Sequence, residues 1–386
     1  MRISESAARI LAAIFLLTTA LLATLLGATW SYVYKANPLP PPPEFPVRKQ
    51  PGALLQPVSP LLVQYQLDLP GRGEIFPALS AGSASDYWPL AVFSILNTAD
   101  RPVMQTISAE VPGWSRRWEQ TVIIGARETR NLRLNPELLP AVYRNDEIQR
   151  ATLEVRVINP GAGLAYAQAR PVYLHGASDL YWGKQFANAQ YIARWVTPHD
   201  LAVLRLVAKA TRWSPRGRLP GYNTRQKSTD AVAPQVRQQA NAVFQALKAS
   251  RLSYVSSIFT FGNLTGEAQR IRLPKETLGL STANCIDVSV VFASAMENLG
   301  MAPVLIIVPG HAFAGVRLAP QSPDILYVDL TVLPNGSFDQ AIARANAWLK
   351  KTSAAEVLTV DVLAARVLGI YPLPEDEVQA GVAASR

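Results

Sequence analysis

An α+β fold is predicted, with an all-β half followed by a mixed half. Two patterns carry that expectation. Between residues 61 and 177, short runs of β-branched and aromatic residues alternate with turn signals. From Asp179 onward the apolar spacing becomes helical, and short aliphatic strands follow the last long helical pattern. The 386 residues suffice for two ordinary domains and further segments. With 49% apolar and 17% charged residues, the composition excludes a disordered chain. The net charge is +9, but Lys and Arg are scattered, with no basic run interleaved with aromatics. Nucleic acid is therefore not an expected partner. One cysteine gives neither an intramolecular disulfide nor a metal framework.

Residues 1–35 form the first segment. Ile10 to Thr29 is a run of 20 residues without a charge. As a helix it spans roughly 30 Å, the thickness of a bilayer core. Trp30, Tyr32 and Tyr34 follow like an interfacial aromatic belt. The run exceeds a signal-peptide core of about 7–15 residues, and no A-x-A site closes it. A single-pass anchor through residues 10–29 is therefore expected, in the inner (cytoplasmic) membrane. Arg2 and Arg9 favour an inside N-terminus and a periplasmic body, whereas Lys35, Arg48 and Lys49 weaken that bias. Residues 36–60 hold Pro38, Pro40 to Pro43, Pro46, Pro51, Pro57 and Pro60, which favours an extended spacer of about 3.1 Å per residue.

Residues 61–177 read as a β sandwich. Candidate strands cover 61–69, 88–97, 105–111, 120–124, 129–134, 153–158 and 165–174. Gly71-Arg72-Gly73, Asn97 to Pro102 and Asn159-Pro160-Gly161 supply turns. That density of short strands suggests an immunoglobulin-like sandwich, without the cysteine pair of an antibody domain. No chemistry is visible there, and spacing or docking a protein partner is its expected role.

Residues 178–372 form the second domain and 373–386 a tail. Thr197-Pro198-His199-Asp200 reads as an N-cap, Pro at N1 and acid at N3. Val236, Ala240, Val243, Phe244 and Leu247 line one face of a further helix. The polar segment from Trp213 to Asp230 reads as a surface connection, with a mobile loop over the site as the alternative. Val288, Phe292, Ala295 and Leu299 recur at helical spacing, Gly300 fits C′, and Pro303 forbids continuation. Cys285 therefore stands at a helix start, where free N–H groups and the dipole stabilise a thiolate. Val304 to Val308 reads as a buried strand, His311 opens the next strand, and Asp329 lies inside a third. A lone cysteine at a helix start is usually a small buried residue. The succession of Cys285, His311 and Asp329 on these elements is instead the order of a nucleophile, its base and an orienting acid. Asn284 and the Cys285 N–H are candidates for the oxyanion. Asp287, two residues from the thiol, reads as a support that offsets the dipole or anchors a loop. His175 and His199 read as surface residues.

The stretches Gln269 to Pro274, Asn284-Cys285-Ile286-Asp287 and Pro309 to Phe313 resemble the transglutaminase-like cysteine peptidase superfamily, in a bacterial membrane-anchored branch. The likeness covers roughly residues 180–370 and is strongest over about 60 residues around the three candidates. It implies a transglutaminase-like (papain-like) second domain, with Cys285 as nucleophile, His311 as base and Asp329 as orienting acid. Many members carry Trp where this chain has Phe313, and Asp-Pro-Thr where it has Asp329-Leu330-Thr331.

Two functions follow as expectations. In the first, the protein is an enzyme hydrolysing a peptide or amide bond of a protein or peptide substrate through a thioester, an amine in place of water giving transamidation. In the second, a membrane-anchored binding or assembly module uses the same scaffold without catalysis. No cofactor and no metal are expected, because no phosphate-cradling glycine motif or ligand cluster is present.

Overall fold

A computed structural model describes residues 63–69, 73–80, 89–160, 163–222, 229–255 and 268–373. The expected anchor at 10–29, the proline spacer at 36–60 and the tail from 374 lie outside these residues. No helix among the described residues is long and apolar enough to cross a membrane.

The chain is mixed α+β with several sheets. Its first half contains β1 (Val63–Asp68), β2 (Glu74–Ile75), α1 (Pro77–Ser80), β3 (Ala91–Asn97), β4 (Val103–Glu110), β5 (Trp118–Ile124), β6 (Thr129–Leu134), β7 (Gln149–Asn159) and β8 (Gly163–Leu174). One sheet has the order β1-β3-β6 and the other β2-β8-β7-β4-β5. All pairs are antiparallel except the short parallel β2–β8 pair. Alternate residues point inward, as the strand period of two requires. Val63, Tyr65 and Leu67 of β1 and Phe93 and Ile95 of β3 share one core with Ile107, Ile124, Leu153, Val155 and Val157. The predicted strands recur with shifted ends. Strand β2 was not predicted: Glu74-Ile75 is too short for alternation to reveal it.

The second half runs β9 (Asp179–Tyr181), α2 (Leu201–Ala210), α3 (Thr229–Ala249), β10 (Ser253–Tyr254), β11 (Ala268–Arg270), α4 (Pro274–Leu280), β12 (Thr282–Ala283), α5 (Cys285–Asn298), β13 (Pro303–Val308), β14 (His311–Arg317), β15 (Ile325–Val328), α6 (Phe338–Lys351), β16 (Leu358–Asp361) and α7 (Val362–Val367). Its main sheet is antiparallel, in the order β15-β14-β13-β16. Helix α5 packs against β14 and β13 on one side and α2, α3 and α4 on the other. Every residue from Cys285 to Met296 is buried, so the one-faced helix suggested by the spacing is in fact enclosed all round. Two hydrogen bonds end it, Met301 N–H to Met296 O at 3.0 Å and Gly300 N–H to Glu297 O at 2.9 Å, with Gly300 at φ +70°. Those are the two bonds of a Schellman ending, for which glycine is the residue without a steric penalty.

Several expectations are corrected. Helix α2 is capped by Asp200, whose carboxylate accepts from Ala202 N–H at 2.7 Å, and not by Thr197. Pro198 and His199 precede the helix. Asp329 lies one residue beyond β15, where it caps a 3-10 turn, Leu330–Val332. His175 is buried, not superficial, and stacks on Phe76 with ring centroids 3.8 Å apart. It stands between Glu74 at 3.9 Å and Asp179 at 3.8 Å.

The division between the halves is less clean than a boundary at 177/178. Phe76, Ala78 and Leu79 come from the first half but belong to the core of the second. Phe76 also stacks on Tyr181, at 5.2 Å. Beyond Trp213, the connection is tied down by Gly221 and Tyr222. Gln239 exchanges two hydrogen bonds with the Gly221 backbone, and Tyr222 donates to Arg317 O at 2.7 Å. Arg317 closes β14 at the end away from His311.

Candidate active site

Helix α5 begins where a capping box closes its first turn. The Asn284 side-chain oxygen accepts from Ile286 N–H at 3.0 Å and from Asp287 N–H at 2.8 Å. Asp287 reaches back to Asn284 N–H at 3.3 Å. These bonds satisfy donors that a helix start leaves orphaned and fix Cys285 as its first residue. Asn284 therefore spends its oxygen on the cap.

Asp287 does more than offset the dipole. Fully buried, it also accepts from Arg272 N–H at 3.0 Å and from the Arg272 guanidinium at 3.2 Å. Burial pushes its carboxyl upward, and the Arg272 and Asn284 donors offset that only in part. The Gln269 to Pro274 stretch is anchored from its other side as well. Trp182 Nε1 donates to Gln269 at 3.1 Å, and Trp195 Nε1 donates to Ile271 O at 2.8 Å. The stretch is thus a buttress that holds the helix of Cys285 by its first turn.

His311 is aimed by a tight hairpin. Val308 pairs with His311, so Pro309 and Gly310 alone form the connection. Gly310 has φ +73°, a conformation that side-chain-bearing residues rarely adopt. Asp329 arrives one residue past β15, the neighbour of β14. His311 Nε2 lies 2.9 Å from Asp329 Oδ2. The other ring nitrogen, Nδ1, is left for the thiol, and the Cys285 sulfhydryl and the His311 ring share a hydrogen bond. Asp329 Oδ1 accepts from the Thr331 hydroxyl at 2.6 Å and from Thr331 N–H at 3.0 Å.

All three side chains are buried, Asp329 fully. Burial alone pushes the His311 imidazole down. Hydrogen bonds to Asp329 and Cys285, and their charges, outweigh it and carry His311 up to about 9. Burial also pushes the Asp329 carboxyl up, but His311 and the two Thr331 donors prevail and hold it below its ordinary value. The arrangement favours an imidazolium held between the Asp329 carboxylate and the Cys285 sulfur.

Four further groups complete the site, none singled out from the sequence as part of it. The Trp348 ring stacks on His311, with centroids 4.6 Å apart and planes 26° apart. Lys351 Nζ lies 3.2 Å from the centroid of Trp348. Arg344 Nε lies 3.2 Å from Asp329 Oδ2. Tyr254 pairs with Ala283 in the short parallel β10–β12 ladder, and its hydroxyl donates to Cys285. Partial burial first, then the charge of Cys285, pushes Tyr254 up to about 12. The spacing of Arg344, Trp348 and Lys351 at i, i+4 and i+7 was a readable signal for a shared helix face. Tyr254, in a two-residue strand, offered none.

His199 is exposed just before α2, and His175 sits in the joint between the halves, so neither belongs to this site. Among the described residues, no group of three His, Cys, Asp or Glu side chains could hold a metal ion. No protein-family model matches the chain, and no curated protein matches it.

Proposed function

We propose that the protein is a membrane-anchored, cysteine-dependent acyl-transfer enzyme that hydrolyses a peptide or amide bond. The observation that carries this reading is the buried line from Cys285 through His311 to Asp329, with Nε2 on the carboxylate and the imidazole hydrogen-bonded to Cys285. The Cys285 sulfur attacks the carbonyl carbon as its proton passes to His311, forming a tetrahedral oxyanion. His311 returns that proton to the departing amine, leaving a thioester. Water then attacks the thioester while His311 takes its proton. Collapse expels the thiolate and releases the acid. The net change is amide plus water to acid plus amine. An amine in place of water gives transamidation. At the start of α5 the Cys285 N–H, which the capping box does not take up, is suited to the oxyanion.

In the same reading, the second half is transglutaminase-like, on the strength of the motif resemblance around Cys285, His311 and Asp329. The first half is an immunoglobulin-like sandwich that spaces the site or docks a protein partner. Residues 10–29 anchor the chain in the inner membrane, with the body on the periplasmic side.

The test uses the full chain in detergent micelles, because its single cysteine makes alkylation report on Cys285 alone. Iodoacetamide should label the protein nearly as fast at pH 6 as at pH 8, and His311→Ala should remove that plateau. A rate in the wild type that climbs tenfold per pH unit, unchanged by His311→Ala, would place the protein with non-catalytic binding modules instead.

A further inference from the structure

Helix α6 brings two cations beside the site. Arg344, Trp348 and Lys351 share one of its faces. Arg344 is 53% exposed although its Nε lies 3.2 Å from the fully buried Asp329 Oδ2. Its guanidinium therefore reaches from solvent to the acid of the triad. Lys351 caps the outer face of Trp348, the ring stacked on His311. Asp329 is already shared with His311 and Thr331. With a thiolate–imidazolium pair, the charges of Cys285, His311 and Asp329 sum to minus one, and Arg344 and Lys351 bring the group to plus one. A planar guanidinium with one edge turned to solvent fits a carboxylate by two parallel hydrogen bonds.

Building on the acyl-transfer reading, we infer that the acyl donor is anionic: it carries a free carboxylate beside the amide that Cys285 attacks, and Arg344 holds that carboxylate. Acidic peptides or acidic peptide crosslinks are the substrate class this describes. Lys351 adds attraction at longer range and no direct contact. Arg344 is then a specificity-determining residue.

Two alkylating probes of nearly equal size separate the claims. Iodoacetate carries a carboxylate beside its reacting carbon, and iodoacetamide carries a neutral amide there. In both reactions the sulfur displaces iodide. The ratio of the two rates cancels the thiolate fraction, so changes in Cys285 ionisation drop out. In the full-length protein at pH 6 and low salt, Arg344→Gln should lower the iodoacetate-to-iodoacetamide ratio roughly threefold to tenfold. Arg344→Lys, which keeps the charge, should retain most of the ratio, and Lys351→Gln should lower it less than Arg344→Gln does. Added salt should lower the wild-type ratio as well. A ratio unmoved by Arg344→Gln, in a protein whose iodoacetamide labelling still depends on His311, overturns the anionic-donor inference and leaves the acyl-transfer reading standing. Loss of the His311 dependence in the wild type sinks the acyl-transfer reading itself. If Arg344→Gln fails to fold, the salt response and Arg344→Lys decide the question.

Discussion

Replacing Asp287 with alanine tests whether the buttress at the start of α5 holds the site. Asp287 is fully buried and accepts from Arg272 N–H, Asn284 N–H and the Arg272 guanidinium. The guanidinium is 36% exposed and can turn to water, so its loss costs little. The two backbone donors have no such recourse. An unsatisfied buried donor costs about 1–3 kcal/mol, which gives ~2–6 kcal/mol for the pair. Removing a buried charge whose carboxyl is pushed upward returns part of that. A net loss of about 3 kcal/mol remains. For a domain of this size each kcal/mol shifts the melting temperature by about 2–4 °C, so Asp287→Ala should melt ~6–12 °C lower. Differential scanning calorimetry at pH 7 supplies the number. Asp287→Asn, which keeps one acceptor, should fall between the two. The disturbance should also reach Cys285, slowing iodoacetamide labelling at pH 6 well below the melting range. If Asp287→Ala melts within 2 °C of wild type with unchanged labelling, the buttress has no energetic role.

Further outcomes follow from the same geometry. Asp329→Asn removes a hydrogen-bonding anion from His311, so the imidazole, carried up to about 9 in the wild type, should titrate below 8 by proton NMR; an unmoved titration would falsify the assigned pairing. His311 lies above the ordinary 6.5 in the fold, so its contribution to stability is complete below pH ~6.5 and is lost as pH rises through about 9. At roughly 1.4 kcal/mol per pH unit this is about 3 kcal/mol, and denaturant midpoints should fall between pH 7 and 10 in the wild type but much less in His311→Gln. Gly221 has φ +69°, and a Cβ there would stand 2.2 Å from Leu299 O. Gly221→Ala should therefore lose about 3 kcal/mol or more in urea denaturation, and a loss under 1 kcal/mol would contradict the packing described.

Much of the second half was legible because local chemistry and global role coincide there. Gly300 and Pro303 mark the end of α5 by capping rules alone and the helix starts at Cys285 as expected, whereas Asn284, read as an oxyanion group, is its N-cap. Pro309-Gly310 marks the hairpin that aims His311. Asp329 was misplaced by one residue because strand ends depend on ladder partners that sequence does not display. His175 reads as a surface residue because its burial comes from Phe76, about a hundred positions away, meeting it in the joint. Tyr254 was invisible for a related reason. Its two-residue strand exists only through pairing with Thr282–Ala283. The all-round burial of α5 likewise reflects packing on both sides, which periodicity in one segment cannot report.

The dispersion of the site along the chain sets a schedule for biosynthesis. Cys285 leaves the ribosome before His311, Asp329 and Trp348, the last of them roughly 60 residues later. At ~5–20 residues per second, the sulfur waits about 3–12 s for its partners. Its helix start can close locally through Asn284 and Asp287, but the imidazole and the ring that stacks on it do not yet exist. Throughout that interval the nascent chain carries an unassisted thiol with no second cysteine to capture it. The geometry around Cys285 is therefore complete only once Asp329 and α6 have docked.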